Sequence, residues 1–248
     1  MMKKVVILDD GVSYFTNPTH LHKVYGRFWD AGVPISIAMT PAIRGDVKSE
    51  NDSTQYFGGI HKDKQGQHQP FKLSDNTKLC DYLNVMADQR LVEICVRGYN
   101  GTIDEFDSDD DVLLQQKIEV GLSVITQSLP DAAITTFVLP QHSYSPTAVE
   151  LLSEYDFNIC LPAKDKSAFQ MKDITDSRKS FTYPLMEELD PGTPGAQIDS
   201  HDFFILRHHY WMVYDDNQVN ESRYANWQSL VDNLLKRDDI EIETFSFI

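Results

Sequence analysis

The stretch Val5–Gly11, VVILDDG, decides the fold of this chain, because it joins a strand to two acidic residues. The apolar run near the N-terminus predicts a buried β-strand. Asp9 and Asp10 then stand at its carboxyl end, where parallel α/β folds place their chemistry. Neighbouring residues of a strand point to opposite faces, so one carboxylate can ligate a cation while the other acts as a base. A plain Asx-type turn after a strand is the competing interpretation of this stretch alone.

The composition is that of a globular protein with an acidic surface. The 248 residues are 41% hydrophobic and 24% charged, and the formal net charge is −16 at pH 7. This charge argues against nucleic acids and anionic membranes as partners, because it repels their phosphates. No apolar run approaches the roughly 20 residues that cross a bilayer, and the start MMKKVVILDD lacks the pattern of a signal peptide. We therefore expect no membrane insertion and a cytoplasmic location.

Several common active-site motifs are absent from the sequence. Cys80, Cys95 and Cys160 are widely spaced in apolar contexts, which predicts buried reduced thiols. The chain contains no CxxC pair and no Cys/His zinc spacing. It also contains no G-x-S-x-G nucleophile elbow, no phosphate-binding loop and no dinucleotide fingerprint. These absences argue against serine or cysteine hydrolases and against nucleotide-dependent enzymes.

Strand-like and helix-like segments alternate along the chain, which favours an α/β fold with a mainly parallel sheet. The predicted strands are Lys3–Leu8, Pro34–Thr40, Leu91–Val96, Ile134–Leu139, Phe157–Leu161, Phe203–Tyr210 and Ile240–Phe247, and the predicted helices are Thr19–Ala31, Asn76–Asp88, Asp109–Leu129, Ser145–Tyr155 and Asn220–Lys236. Two stretches, at about 43–75 and 162–202, lack this pattern and are predicted to be long loops, which in compact domains are usually functional or mobile. We expect a single domain over residues 1–248.

Side chains capable of chemistry follow the predicted strands. They are Asp9-Asp10, Thr40-Pro41, Arg97–Gly101, Pro140–His142 and Arg207–Trp211. In this order the chain resembles the polysaccharide deacetylase, or NodB-like, superfamily, and within it the DUF2334-type and WbmS-like proteins. The segments that carry the resemblance are the Asp-Asp-Gly turn, GVPISIAMTPAI (Gly32–Ile43), VEICVRGYNG (Val92–Gly101), FVLPQHSYSPTAVELLSEYDF (Phe137–Phe157) and ILRHHYW (Ile205–Trp211). Taken in order, the segments are spread over most of the length of the chain.

The resemblance implies a distorted (β/α)7 barrel and metal-assisted removal of an acetyl group from an N-acetylated sugar. In that family one Asp and two His hold a divalent metal, usually zinc, which polarises the carbonyl and activates water. Carried over by position, Asp9 is the base and Asp10 is the metal ligand, if a metal is retained. His208 or His209 would be the acid toward the leaving amine. These two alternate across a strand, so only one can face the barrel mouth, and His209 is slightly favoured.

The sequence departs from that family at both metal-binding histidines. Their positions in the family pattern HGY-x-H are Arg97 and Gly101 here. Arginine is not a metal ligand and glycine has no side chain, so we expect no zinc cofactor unless other residues rebuild the site. We expect the Arg97 guanidinium to occupy the cation position and pair with Asp10. An Arg97 that points to solvent is the alternative.

Other residues are candidates for metal or substrate binding. His20 and His22 have a spacing that could suit a ligand pair, but at a helix start capping and surface roles are commoner. The predicted substrate contacts are Arg97, Tyr99, His142 and Trp211, because residues at strand ends can face the pocket and their rings could stack on a sugar. For the aromatic residues among them, a place in the core is an equally good interpretation.

Two functions stay open at this point. The first is a deacetylase-like hydrolase that acts on an N-acetylated or O-acylated sugar in envelope polysaccharide metabolism, with its activity altered or lost. The second is a non-catalytic carbohydrate-binding or assembly protein of the same fold. The retained Asp9, Asp10 and late histidine favour the first, whereas the lost metal histidines favour the second. The sequence does not predict the oligomeric state.

Overall fold

A computed structural model describes residues 2–49, 54–141, 143–163, 170–175, 177–184 and 198–248. The strands are β1 (Lys3–Val12), β2 (Ile35–Met39), β3 (Ala42–Arg44), β4 (Pro70–Lys72), β5 (Val92–Arg97), β6 (Thr136–Val138), β7 (Asn158–Ala163), β8 (Gln170–Thr175), β9 (Arg178–Pro184), β10 (Phe203–Arg207), β11 (Tyr214–Asp215), β12 (Gln218–Val219) and β13 (Ile240–Glu243). The α-helices with described bounds are α1 (Pro18–Asp30), α2 (Thr77–Asp88), α3 (Asp111–Ser128), α4 (Pro146–Glu154) and α5 (Glu221–Leu235).

Parallel strands form a curled half-barrel sheet at the centre of the fold, in the order β10-β1-β2-β5-β6-β7-β9. β8 extends the sheet by antiparallel pairing with β9, and β13 pairs in parallel with the first half of β1. Parallel neighbours need crossover connections, which α1 to α4 provide between β1 and β7. The α/β barrel of the distorted (β/α)7 type that the sequence predicts is confirmed in this half-barrel form.

Side chains alternate along the strands, so one row packs against the helices and the next row packs inside the barrel. On β1, Val5 and Ile7 pack with the helices, whereas Val6 and Leu8 belong to the cluster inside the barrel. Phe245, after β13, joins that interior cluster. Because side chains alternate across a strand, Asp9 continues the helix-facing row of β1 and Asp10 continues the interior row.

The predicted loop at 162–202 is corrected by the structure. β7 continues to Ala163, and β8 and β9 both lie within the predicted loop. Phe181 and Tyr183 on β9 are fully buried in the interior cluster, with the period of two that a strand requires. The prolines and glycines later in the segment conceal that short pattern in the sequence. The predicted loop at 43–75 likewise contains β4, which pairs with β3.

Side-chain caps fix the helix starts that border the carboxyl ends of the strands. The caps are Asn17 to the Thr19 amide, Asn76 to Leu79, Asp110 to Leu113, Ser145 to Ala148 and Asn220 to Arg223. Such caps satisfy amides that have no partner within the helix. The three cysteines are buried and unpaired, as predicted. Among the described helices, none combines the length and apolar character that a membrane crossing needs.

Candidate functional site

Asp10 lies at the centre of a buried ion cluster at the carboxyl ends of β1, β5 and β10. Arg207 Nε donates to its Oδ1 at 2.7 Å, and Arg97 Nε lies 3.5 Å from its Oδ2. His209 Nδ1 lies 3.3 Å from Oδ1. Each of the four side chains is at least nine-tenths buried. Burial alone would raise the pKa of Asp10, but Arg207, His209 and Arg97 outweigh it and hold that pKa well below its usual range.

Strand alternation brings these charges together. Asp10, Arg97 and Arg207 each follow, by two positions, a residue of the interior core. Those core residues are Leu8, Cys95 and Ile205. In the register of the sheet, Leu8 pairs with Arg207. The three charged side chains therefore form the top layer of the barrel interior, directly above its apolar filling.

The structure contains the ion pair that the sequence predicts between Arg97 and Asp10. Arg207, which the sequence places at a strand end without predicting a role for it, makes the shorter contact with the same carboxylate. The signal that could have found it is the alternation Phe203, Ile205, Arg207, which places the arginine on the interior face of β10.

Asp9 is held from the helix side of β1. Its Oδ2 accepts from the Tyr25 hydroxyl at 2.8 Å and from the Tyr210 amide at 3.0 Å, and its Oδ1 accepts from the Gly11 amide at 2.8 Å. Burial, together with Asp9, raises the pKa of Tyr25 well above its ordinary value, so this phenol stays a donor. Asp9 is fully buried. To act as a base, it would have to release one of these hydrogen bonds.

His208 and His209 point to opposite sides, as alternation predicts. The His209 ring stacks on Trp211, with centroids 4.6 Å apart, and faces the two carboxylates. The His208 ring stacks on Trp227 at 3.7 Å, on the helix side, with the Tyr25 hydroxyl 3.3 Å from its Nδ1. Burial holds the pKa of His208 well below its ordinary value. His209 is therefore the histidine that lies at the site.

Residues 57–59, between β3 and β4, cover the site and are called the covering segment. Phe57 is buried, and its ring meets His209 and Trp211 edge-on at centroid distances of 5.8 and 5.4 Å. A Cβ at Gly58 would lie 2.5 Å from the Trp211 ring, and one at Gly11 would lie 2.7 Å from the Trp211 Nε1. Glycines on two sides therefore allow the indole to be enclosed between β1 and the covering segment.

The loop that follows Arg97 is shaped by Glu105, which was not among the predicted site residues. Its carboxylate accepts from the amides of Tyr99, Asn100 and Gly101 at 3.2, 2.7 and 3.0 Å. Gly101 has a φ of +75°, and a Cβ there would lie 3.6 Å from Arg97 Nη1. The loop backbone thus closes around Glu105, and Gly101 sits beside the guanidinium.

Of the other predicted residues, two histidines contact aromatic side chains away from Asp10, and one lies outside the described residues. His20 stacks on Tyr214 at 4.1 Å, and His22 Nδ1 lies 3.1 Å from the Tyr82 hydroxyl. His142 falls outside the described residues. Substrate contact by Arg97, Tyr99 and Trp211 stays a prediction.

The side chains around Asp10 do not fit a zinc ion. Within the described ranges, no group of three or more His, Cys, Asp or Glu side chains is placed to hold a metal. Zinc takes thiolate, imidazole or carboxylate donors, whereas two of the three neighbours of Asp10 are guanidiniums, which offer no lone pair. Gly101 adds no ligand. Among the described residues, the neighbours of Asp10 therefore place fixed positive charges, rather than a set of zinc ligands, beside its carboxylate.

Comparison with known proteins places the fold. No protein-family model and no curated protein matches the chain. Among solved structures, a Mycobacterium smegmatis protein described as a polysaccharide deacetylase has 10% identity and a TM-score of 0.64, over 100% of this chain and 89% of that one. A CE4 family pseudoenzyme from Bacillus anthracis has 8% identity and a TM-score of 0.56, over 99% and 65%.

A third solved structure comes from a different enzyme. The 4-alpha-glucanotransferase of Thermococcus litoralis has 11% identity and a TM-score of 0.58, and the match spans 100% of this chain but 40% of that one. At such identities a likeness shows the fold alone. The chain therefore has the fold of the CE4 polysaccharide deacetylases.

Proposed function

We propose that this chain is a polysaccharide-deacetylase-like protein that acts on an N-acetylated or O-acylated sugar in envelope polysaccharide metabolism, and that zinc-dependent hydrolysis is altered or lost in it. The observation that carries the proposal is the contact of Asp10 with Arg207 at 2.7 Å and Arg97 at 3.5 Å. The fold supports the sugar as substrate class, and the ion cluster supports the changed chemistry.

Fixed guanidinium charges can perform only part of the work of a metal. An arginine can stabilise an oxyanion that develops on an attacked carbonyl. It cannot lower the pKa of a bound water to near neutrality, as a zinc ion does. Asp9, the predicted base, already accepts three hydrogen bonds. Attack by water is therefore expected to be slow, even where a sugar is correctly bound.

The cover over the site adds a second constraint. Phe57 lies against His209 and Trp211, so a sugar can reach these rings only after the covering segment moves. The pseudoenzyme among the structural neighbours is a precedent for this fold without the usual activity. Both points support the proposal that hydrolysis by this chain is altered or lost.

The test is acetate release from N-acetylated chitooligosaccharides and from acetylated xylan, with zinc chloride or with EDTA. We expect neither addition to change the rate, because no step depends on a bound metal. Calorimetry with the same sugars measures binding in parallel. Release that zinc stimulates and EDTA abolishes would contradict the changed chemistry, and absence of binding to every acylated sugar would contradict the substrate class.

A matched pair of variants separates the site from the surface. Arg97→Met removes a buried guanidinium of the cluster, whereas Arg223→Met removes an exposed one that pairs with Asp215. We expect Arg97→Met to reduce sugar binding or any acetate release, and Arg223→Met to leave both unchanged. Equal effects of the two variants would count against a role of the cluster.

A further inference from the structure

The Phe57 ring lies against three residues of the candidate site. Its centroid is 5.8 Å from that of His209 and 5.4 Å from that of Trp211, and both contacts are edge-on. The guanidinium carbon of Arg97 lies 5.5 Å from the same centroid, within the range of a cation–π contact. Phe57 is 3% exposed. Its ring therefore fills the position where a ligand would contact these three side chains together.

The backbone hydrogen bonds described around Phe57 stay within the connection between β3 and β4. The amides of Phe57 and Gly66 donate to the carbonyls of Val47 and Gly45 at 3.0 and 2.9 Å. The Ile60 amide donates to the Phe57 carbonyl at 3.0 Å. Donor and acceptor of each bond belong to the same connection, so these bonds can be kept when Phe57 moves away from the barrel mouth.

Apolar packing holds Phe57 in its place. Phe57 and Ile60 belong to a small cluster that is distinct from the helix-side core and from the interior core, and its other buried members are Phe15, Ile43 and Val47. Segments with few buried apolar contacts open at a lower free energy than the main core of a domain. The covering segment therefore has the construction of a unit that opens while the half-barrel stays folded.

We propose that Phe57 is an autoinhibitory plug of the site. In the closed state its ring withholds Arg97, His209 and Trp211 from ligands, and a sugar binds only to the state in which Phe57 has left them. The apparent association constant is then that of the open state multiplied by the fraction of open molecules. This inference rests on the proposed function, because it names the regulation of the same site.

The test is calorimetry with N-acetylchitotriose on the wild type and on Phe57→Ala, which removes the plug. The matched control is Phe71→Ala, because the Phe71 ring on β4 packs against the same apolar cluster, 4.9 Å from that of Phe15. We expect Phe57→Ala to bind at least about tenfold more tightly than the wild type, and Phe71→Ala to stay within about twofold of it. A tenfold gain corresponds to an open fraction of about one tenth in the wild type.

Acrylamide quenching of tryptophan fluorescence tests the plug without a ligand. Trp211 is one of three tryptophans, and the other two, Trp29 and Trp227, are buried in the helix-side core. We expect a higher quenching constant in Phe57→Ala than in the wild type or in Phe71→Ala. Phe57→Leu keeps an apolar anchor with a shorter side chain, so it should shift binding and quenching in the same direction by less. It provides the test if Phe57→Ala does not fold.

Three results would overturn the inference. Weaker sugar binding by Phe57→Ala than by the wild type would make Phe57 a sugar contact rather than a plug. Equal gains in Phe57→Ala and Phe71→Ala would indicate a general loosening of the apolar cluster. Unchanged affinity and unchanged quenching in Phe57→Ala would show that its ring does not restrict access to the site.

The quenching experiment separates this inference from the proposed function. If quenching rises in Phe57→Ala alone and no protein binds an acylated sugar, the plug stands and the proposed substrate class fails. If the wild type and Phe57→Ala bind N-acetylchitotriose equally and are quenched equally, the proposed function stands and the plug fails. If no protein binds the sugar and quenching is the same in all of them, both fail.

Discussion

Arg207 donates a hydrogen bond from Nε to Oδ1 of Asp10 over 2.7 Å, in a barrel mouth where both side chains are almost fully buried. Two charges removed from water cost desolvation free energy, which their contact offsets only while both are present. Arg97 adds a second guanidinium to the same carboxylate at 3.5 Å. The cluster therefore links β1, β5 and β10 through ion pairs. We expect the same charges to determine which ligands the site can bind.

Removal of Arg207 should destabilise the fold strongly. We expect Arg207→Met to lower the free energy of unfolding by about 3–5 kcal/mol, because it leaves a buried carboxylate without its main partner. Equilibrium unfolding in urea measures this loss. The control is Lys62→Met, which breaks an exposed pair with Asp216 and should have a much smaller effect. Similar losses in the two variants would contradict the assignment of Arg207 as the main partner of Asp10.

The lowered pKa of Asp10 predicts a loss of stability in acid. Burial would raise this pKa, but the charges of Arg207, His209 and Arg97 lower it below the ordinary 3.8. Stability from the ionised carboxylate is therefore present above about pH 4 and is lost as the pH falls through the folded-state pKa. We expect unfolding in urea to show this fall in the wild type and a shallower one in Arg207→Met. Parallel curves for the two proteins would contradict the electrostatic cause.

Glu93, at the other end of the barrel interior, should give stability the opposite dependence on pH. Its carboxylate accepts from the Ser36 hydroxyl at 2.6 Å and from the Phe245 amide at 2.9 Å, and burial raises its pKa above the ordinary 4.5. Its contribution is present below that value and is lost as the pH rises through the folded-state pKa. We expect the stability of the wild type relative to Glu93→Gln, measured by urea unfolding, to fall as the pH rises above 4.5. A difference that does not change with pH would show that burial does not control this group.

The covering segment should tolerate no side chain at Gly58. A Cβ there would meet the Trp211 ring at 2.5 Å, so we expect Gly58→Ala to lift the segment and to cost about 1–3 kcal/mol of stability. Urea unfolding and acrylamide quenching of tryptophan fluorescence measure the two effects. In the control Gly26→Ala, inside α1, the nearest atom is 3.6 Å away, and helix propensity predicts a gain of about 0.5–1 kcal/mol. If Gly58→Ala changes neither the stability nor the quenching, the contact between residue 58 and Trp211 is not tight.

Much of the site can be predicted from the alternation of side chains along the strands, because this alternation can be read from the sequence. The opposite directions of Asp9 and Asp10, and of His208 and His209, are consequences of a period of two. The ion pair between Arg97 and Asp10 could be predicted from motif order, and Arg207 could have been found by the same period. β9 was missed because its short alternation lies beside a segment rich in proline and glycine.

Other features could not be predicted, because they depend on contacts between distant parts of the chain. Phe57 reaches His209 and Trp211 from a polar segment with no periodic pattern. The position of the Trp211 indole depends on its packing against Gly11, Gly58 and Gly59. The hydrogen bonds of Asp9 to Tyr25 and Tyr210 likewise require α1 and the turn after β10 to be in place. Tertiary packing, rather than local propensity, sets these contacts.

Zinc binding tests most directly whether the guanidiniums of Arg97 and Arg207 occupy the cation position beside Asp10. The measurement is equilibrium dialysis of the wild-type protein against zinc chloride, followed by metal analysis and thermal unfolding. We expect well below one zinc ion per chain and no rise in the unfolding temperature, because a ligand that does not bind the native state cannot stabilise it. One tightly bound zinc ion per chain, with a higher unfolding temperature that EDTA reverses, would contradict this claim.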